Sequence, residues 1–264
     1  GTAVYSKRNT WEMQTGTDME ITRFISDSKD LDAALLMNKN RVSDTQGHDH
    51  ESMLHIAARR GRNSDVICLL KHEANVNLPN AFGHTPLELA ALYGHLSTVE
   101  ILFEHTDFMH RQYSLHAAVT GGEAAVVRFL ASKGLLLNGE GANSREGLSP
   151  LHVATLSGHI PVVDLLMKDC MFADINTRDA QGCTALHHAA EHGQIEMART
   201  LIRHGADTNA PSSDESTPLH KAVQGQGALS EYQELIDLLV ENDADLGARD
   251  AHGQTPLHTA AAMH

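Results

Sequence analysis

Aromatic side chains make up only 4% of this 264-residue chain, with a single Trp, so a core layered from large flat rings is excluded. Its apolar core has to be built from small and aliphatic residues. Cysteine is scarce as well. Cys68, Cys170 and Cys183 are odd in number and lack paired metal-ligand spacing, which argues against a disulfide framework and for a reducing compartment. No apolar run reaches membrane-spanning length, and no charged n-region followed by an apolar h-region opens the chain. The expected location is therefore cytoplasmic or nuclear, with no membrane insertion by this segment. Bases fall short of acids, 20 Lys and Arg against 34 Asp and Glu, for a net charge of −14. Residues 191–264 carry 12 of those acids against 4 bases, which disfavours nucleic acid and anionic lipid. Such a run is either a solvated outer face or a field that steers a basic partner segment. The local reversal is Arg59, Arg60 and Arg62.

Signatures of chemistry are missing too. There is no phosphate-cradling Gly-rich motif, no Gly-x-Ser-x-Gly elbow and no kinase signature set. Gly225-Gln-Gly227 is a lone pair of glycines that a loop explains.

What is present is repetition. Strings of the type Thr-Pro-Leu-His-x-Ala-Ala begin at Ser52, Thr85, Tyr113, Ser149, Thr184, Thr217 and Thr255. Their leucines, at 54, 87, 115, 151, 186, 219 and 257, are spaced by 33, 28, 36, 35, 33 and 38 residues. Each string reads as a helix entry. Ser52, Thr85, Ser149, Thr184, Thr217 and Thr255 can accept from orphan amides, and Pro86, Pro150, Pro218 and Pro256 stand where a missing N–H costs nothing. Paired alanines make a slim helix face, and Gly61, Gly94, Gly122, Gly158 and Gly193 follow where a left-handed helix end is expected. A second apolar run with helical spacing comes next, as in Val66-Ile-Cys-Leu-Leu70 and Leu235-Ile-Asp-Leu-Leu-Val240. Turn-forming residues then lead to the next string.

A period near 33 with this motif resembles the ankyrin repeat. The resemblance covers about residues 47–264 and implies an all-α repeat solenoid, in which helix-turn-helix units with β-hairpin fingers stack and each contacts only its neighbours. The expected organisation is a flexible leader over 1–17, a divergent N-terminal capping repeat over 18–46, and an array of about seven repeats over 47–264 with the last one truncated. Two spacings depart from the rule. The gap of 28 predicts a shortened or missing finger between Phe103 and Arg111, and the gap of 38 places an insertion, Gln224 to Glu234, between the two helices of the sixth repeat. That insertion is expected to project as a loop, either touching a partner or merely tolerated.

Nineteen histidines invite a metal or catalytic reading, but His55, His116, His152, His187, His220 and His258 are the motif histidines, which the resemblance makes structural. His188-Ala-Ala-Glu-His192 formally matches an inverted zinc-hydrolase pattern, yet its alanines are the motif alanines and it lacks a third ligand. His48-Asp-His50 reads as a solvated hairpin tip. No catalytic residue, metal or cofactor is expected.

The resemblance implies that a partner protein or peptide binds along a concave face of finger tips and first-helix ends. The residues so placed are Arg59, Arg60, Phe82, Leu92, Tyr93, Leu148, Leu156, His192 and Asp214, with the apolar ones as anchors. The alternative is a regulatory or substrate-recruiting region of a larger enzyme, ion channel or effector protein. In either case the segment is expected to be monomeric and its partner to offer a basic segment.

Overall fold

The computed structural model describes residues 50–135, 147–168, 174–225 and 229–262. The leader, the N-terminal cap and most of His48-Asp-His50 lie outside the described residues. Thirteen helices and no strand are found among those described. In chain order they are α1 Met53–Arg59, α2 Asn63–Lys71, α3 Pro86–Leu92, α4 Leu96–His105, α5 Phe108–Gly121, α6 Ala124–Ser132, α7 Pro150–Leu156, α8 Ile160–Lys168, α9 Ala185–Glu191, α10 Ile195–Arg203, α11 Pro218–Gln224, α12 Leu229–Glu241 and α13 Pro256–Ala262.

They form an all-α repeat stack of the solenoid class, divided by its packing into two compact units, 1–135 and 136–264. In the first unit α1, α3 and α5 lie side by side as one layer and α2, α4 and α6 as a second. The second unit repeats the pattern, with α7, α9, α11 and α13 against α8, α10 and α12.

The motif explains both layers. Its leucine is the plug: Leu54, Leu87, Leu115, Leu151, Leu186 and Leu219 are all at most 2% exposed. Its histidine is the tie between repeats. In α1 the Ser52 N–H donates to His55 Nδ1 at 3.1 Å, so the proton sits on Nε2, which donates to the His84 carbonyl at 3.0 Å. The same pair of bonds recurs at His152 with the Cys183 carbonyl, at His187 with the Ser216 carbonyl and at His220 with the Gln254 carbonyl. One neutral imidazole thus caps its own helix and holds the next finger, which satisfies buried polar groups at both ends.

The fingers are tighter than strand hairpins. Each closes by two backbone bonds, the first residue's amide donating to the carbonyl four on and its carbonyl accepting from the amide three on, over Asn80–His84, Asp179–Cys183, Ser212–Ser216 and Asp250–Gln254. Asn80, Asp179 and Asp250 each accept two further finger amides on one side-chain oxygen, an Asx turn that presets the finger. Three of these turns place glycine at positive φ, at Gly83, Gly182 and Gly253, but the fourth has Glu215 at φ 60°. A side chain pays about 1 kcal/mol for that conformation. Glu215→Gly is expected to raise stability by several tenths of a kcal/mol, read from the urea midpoint; an unchanged or lower midpoint would show that the finger imposes no strain.

Both irregular spacings have structural outcomes. The third repeat has no finger: only Thr106 and Asp107 separate α4 from α5, which starts at Phe108, six residues before the position after the motif's cap residue, Tyr113. Tyr113 replaces the Ser or Thr that stops the other helices, so the helix runs on. Asn77 brackets the join, donating to Asp107 Oδ2 at 2.8 Å and accepting from the Asp107 amide at 3.2 Å. The Arg111 guanidinium lies 4.5 Å from the centre of the Phe103 ring, and Arg111 Nε donates to the Thr106 carbonyl. Of the insertion, residues 226–228 lie outside the described residues, and the rest corrects the expectation of a projecting loop. From Leu229 onward it is helix, lengthening α12 to 13 residues. Tyr232 donates to the Glu191 carbonyl at 2.9 Å and lies against Gly225, where any Cβ would collide with its ring.

Candidate functional site: finger tips and first-helix ends

In the first unit, Arg60 and Tyr93 occupy the same place one repeat apart, each being the residue that closes a first helix. Their turns are held together. His95 Nε2 bonds the Arg59 carbonyl at 2.9 Å, and a Cβ on Gly61 would meet the His95 ring at 2.5 Å. Tyr93 is 45% exposed and Leu92, the last residue of α3, is half-buried. Phe82 stands on the finger before α3 with its side chain 51% exposed, while its amide is fixed by Asn80 Oδ1. Two large apolar groups are therefore presented on backbone that cannot relax inward.

The arginines differ from one another. Arg59 pairs with Glu51 at 2.9 Å and Arg62 with Asp65 at 3.6 Å. Arg60 has no ion pair among the described residues; burial and then the charges of Arg59 and Arg62 lower its pKa.

In the second unit, Leu148 and Leu156 are half-buried rather than open, Leu156 as the last residue of α7. His192 closes α9 and is exposed, its Nδ1 bonded to the His188 carbonyl at 2.9 Å. Asp214 is exposed but internally engaged, accepting from Ser212 Oγ and the Ser216 amide and lying 3.6 Å from Lys221 Nζ. The Ser212 bond first, helped by Lys221, holds its carboxyl down at about 2.

Sequence reasoning missed Phe108 and Met109, 66% and 64% exposed at the start of the lengthened α5. The signal was available: two adjacent large apolar residues in a segment too short for a finger. It also missed Tyr232, which the irregular sixth repeat uses to cover its own turn.

One group of donor atoms could suggest a metal: those of His152, Asp179 and His188 lie within 4.8 Å of one another. All are already spent on the finger. His152 Nε2 holds the Cys183 carbonyl, Asp179 Oδ1 accepts the Gln181 and Cys183 amides, and Asp179 Oδ2 pairs with His188 Nε2 at 2.8 Å. His188 and His192 do not converge on a point, since one turns to Asp179 and the other back to a helix carbonyl. The buried Cys183 thiol is pushed up to about 11 by burial and then by Asp179, which makes it a poor nucleophile near neutral pH.

Comparison with known proteins agrees with this geometry. The family description "Ankyrin repeats (3 copies)" matches residues 24–113, 106–179 and 171–250. The chain is 30% identical over 223 residues to the B-cell lymphoma 3 protein homolog of Mus musculus, covering 80% of this chain and 48% of that protein. It is 32% identical over 166 residues to alpha-latrotoxin-Lg1a of Latrodectus geometricus, covering 61% of this chain and 12% of the toxin. The chain thus spans about half of the first relative and a small part of the second.

Proposed function

Because the chain belongs to the ankyrin-repeat family, we propose that it is a non-enzymatic interaction module that binds a partner protein or peptide along its concave ankyrin surface. The observation that carries this reading is the pair Phe82 and Tyr93, large apolar side chains exposed on fixed backbone in a chain with few aromatics. Leu92 precedes Tyr93, and Arg59 and Arg60 stand at the end of the preceding repeat's first helix; Leu148, Leu156, His192 and Asp214 supply the corresponding places in the second unit. Acid is concentrated in that second unit: residues 136–264 carry 18 Asp and Glu against 7 Lys and Arg, while residues 1–135 carry 16 against 13. A partner presenting a basic segment to the second unit fits that imbalance. No helix among the described residues is long and apolar enough to cross a membrane, and the cysteine usage suits a reducing compartment.

Affinity capture with the chain as bait, run beside Phe82→Ala/Tyr93→Ala, tests the reading. Both side chains project outward, so circular dichroism should be unchanged while retention of a specific protein falls at least about tenfold. Equal retention by both baits would move the site elsewhere. The second reading, a recruiting region within a larger enzyme, channel or effector, is favoured by the match spanning about half of the first relative and a small part of the second.

A further inference from the structure

The three clustered arginines of the first unit are not equivalent, and the difference selects a ligand chemistry. Two already have carboxylates: Arg59 with Glu51 at 2.9 Å and Arg62 with Asp65 at 3.6 Å. Arg60 lies between them in sequence at the end of α1, feels both like charges more than the attraction of Glu51, and makes no ion pair of its own among the described residues. Bringing an anion to such a group relieves repulsion as well as adding attraction.

The neighbourhood sets the rest. Tyr93 closes α3 as Arg60 closes α1, and α1 packs directly against α3, so these two backbone positions are one helix spacing apart, about 10 Å. The His95 bond to the Arg59 carbonyl and the contact of His95 with Gly61 fix that spacing. The next repeat presents no side chain at the corresponding place, because Gly122 closes α5. Gly121, just before it, is pressed against the Leu92 carbonyl, where a Cβ would sit 2.1 Å from the oxygen. The surface therefore runs from a guanidinium with no ion pair among the described residues, over an exposed aromatic ring, to bare backbone. An extended chain advances about 3.3 Å per residue, so a carboxylate on Arg60 and an apolar side chain on Tyr93 fall about three residues apart.

We infer that the first unit recognises an extended acidic segment of a partner protein, one Asp or Glu engaging Arg60 and an apolar residue about three positions away packing on Tyr93. This rests on the reading of that surface as the binding face and adds a ligand class to it, opposite in sign to the basic segment suited to the second unit.

The test is selection of a displayed library of random twelve-residue peptides against the whole chain and against Arg60→Glu, with selected peptides titrated on wild type, Arg60→Gln and Tyr93→Ala. Wild type is expected to enrich Asp or Glu about three positions from a large apolar residue. Binding of those peptides should fall about tenfold in Arg60→Gln, the scale for losing one partner of a hydrogen-bonded charge pair. Arg60→Glu should instead enrich Lys and Arg at the same position. Arg60 is half-buried at the end of α1, so circular dichroism on each variant checks that the fold is kept. If peptides bind and depend on Tyr93 but not on Arg60, the acidic class is overturned while the binding face stands. If they depend on neither, or if no peptide is selected, both are overturned.

Discussion

Lowering the pH from 7 to 4 is expected to cost this chain several kcal/mol and to unfold it well below its neutral-pH melting temperature. The cause is the motif histidine. His55 and His187 are pushed down to about 4, first by burial, although each gains a backbone bond that works the other way. His152 is lowered in the same direction and for the same first reason. Each of these rings accepts a backbone amide on Nδ1, so adding a proton there would set N–H against N–H. A folded value near 4 against an unfolded one near 6.5 means that the unfolded chain binds more protons between those limits. The stabilisation from the neutral ring is complete above about pH 6.5 and is lost as pH falls towards 4, at roughly 3 kcal/mol for each of His55 and His187. Asp214, held down at about 2, keeps its contribution until the pH drops below the ordinary carboxyl value. Thermal unfolding followed by circular dichroism at pH 7, 6, 5 and 4 should therefore show a steep fall starting below pH 6.5. A melting temperature flat down to pH 4 would mean that the rings titrate without unfolding.

Leu186→Ala and Leu257→Ala should give opposite results although the two residues hold the same place in the motif. Leu186 is fully buried between α9 and its neighbours, whereas Leu257 is 77% exposed in α13. Truncating the first removes transfer energy and leaves a cavity, about 2–5 kcal/mol. Truncating the second uncovers little, and alanine is the better helix former, so the change should stay within about 0.5 kcal/mol. Because a stacked array can melt unit by unit, chemical unfolding of the Leu186→Ala chain should broaden or split as the second unit fails first. Equal effects from the two substitutions would show that the motif position, not its burial, sets the energy.

The repeat was legible because its signals are local. Ser149-Pro-Leu-His152 spells a cap, a first-turn proline, a core plug and an inter-repeat bond within four residues, and each does what its chemistry suggests. The missing third finger was legible for the same reason, since a gap of 28 residues leaves no room for one. What replaced it was not, because the run-on of α5 depends on Tyr113 failing to stop a helix and on Asn77 from the previous repeat receiving Asp107. The insertion misled for a related reason. Gly225 and nearby polar residues read as loop, but Tyr232 finds a carbonyl 41 residues earlier to dock on, and helix follows. At the candidate site, sequence could place Phe82 and Tyr93 outward by their position in the repeat, and they are outward. It could not separate them from Leu148 and Leu156, whose half-burial is decided by neighbours in space. Nor could it see that Arg59 and Arg62 already hold carboxylates and Arg60 does not.

Amide hydrogen exchange with and without a captured partner would show whether the binding surface is made of finger tips and first-helix ends. Protection is predicted for residues 81–84 and 92–95 and around Arg60, with the solvent faces of α2 and α4 unchanged. Protection confined to those second helices, with the finger tips exchanging as fast as in the free chain, would contradict it.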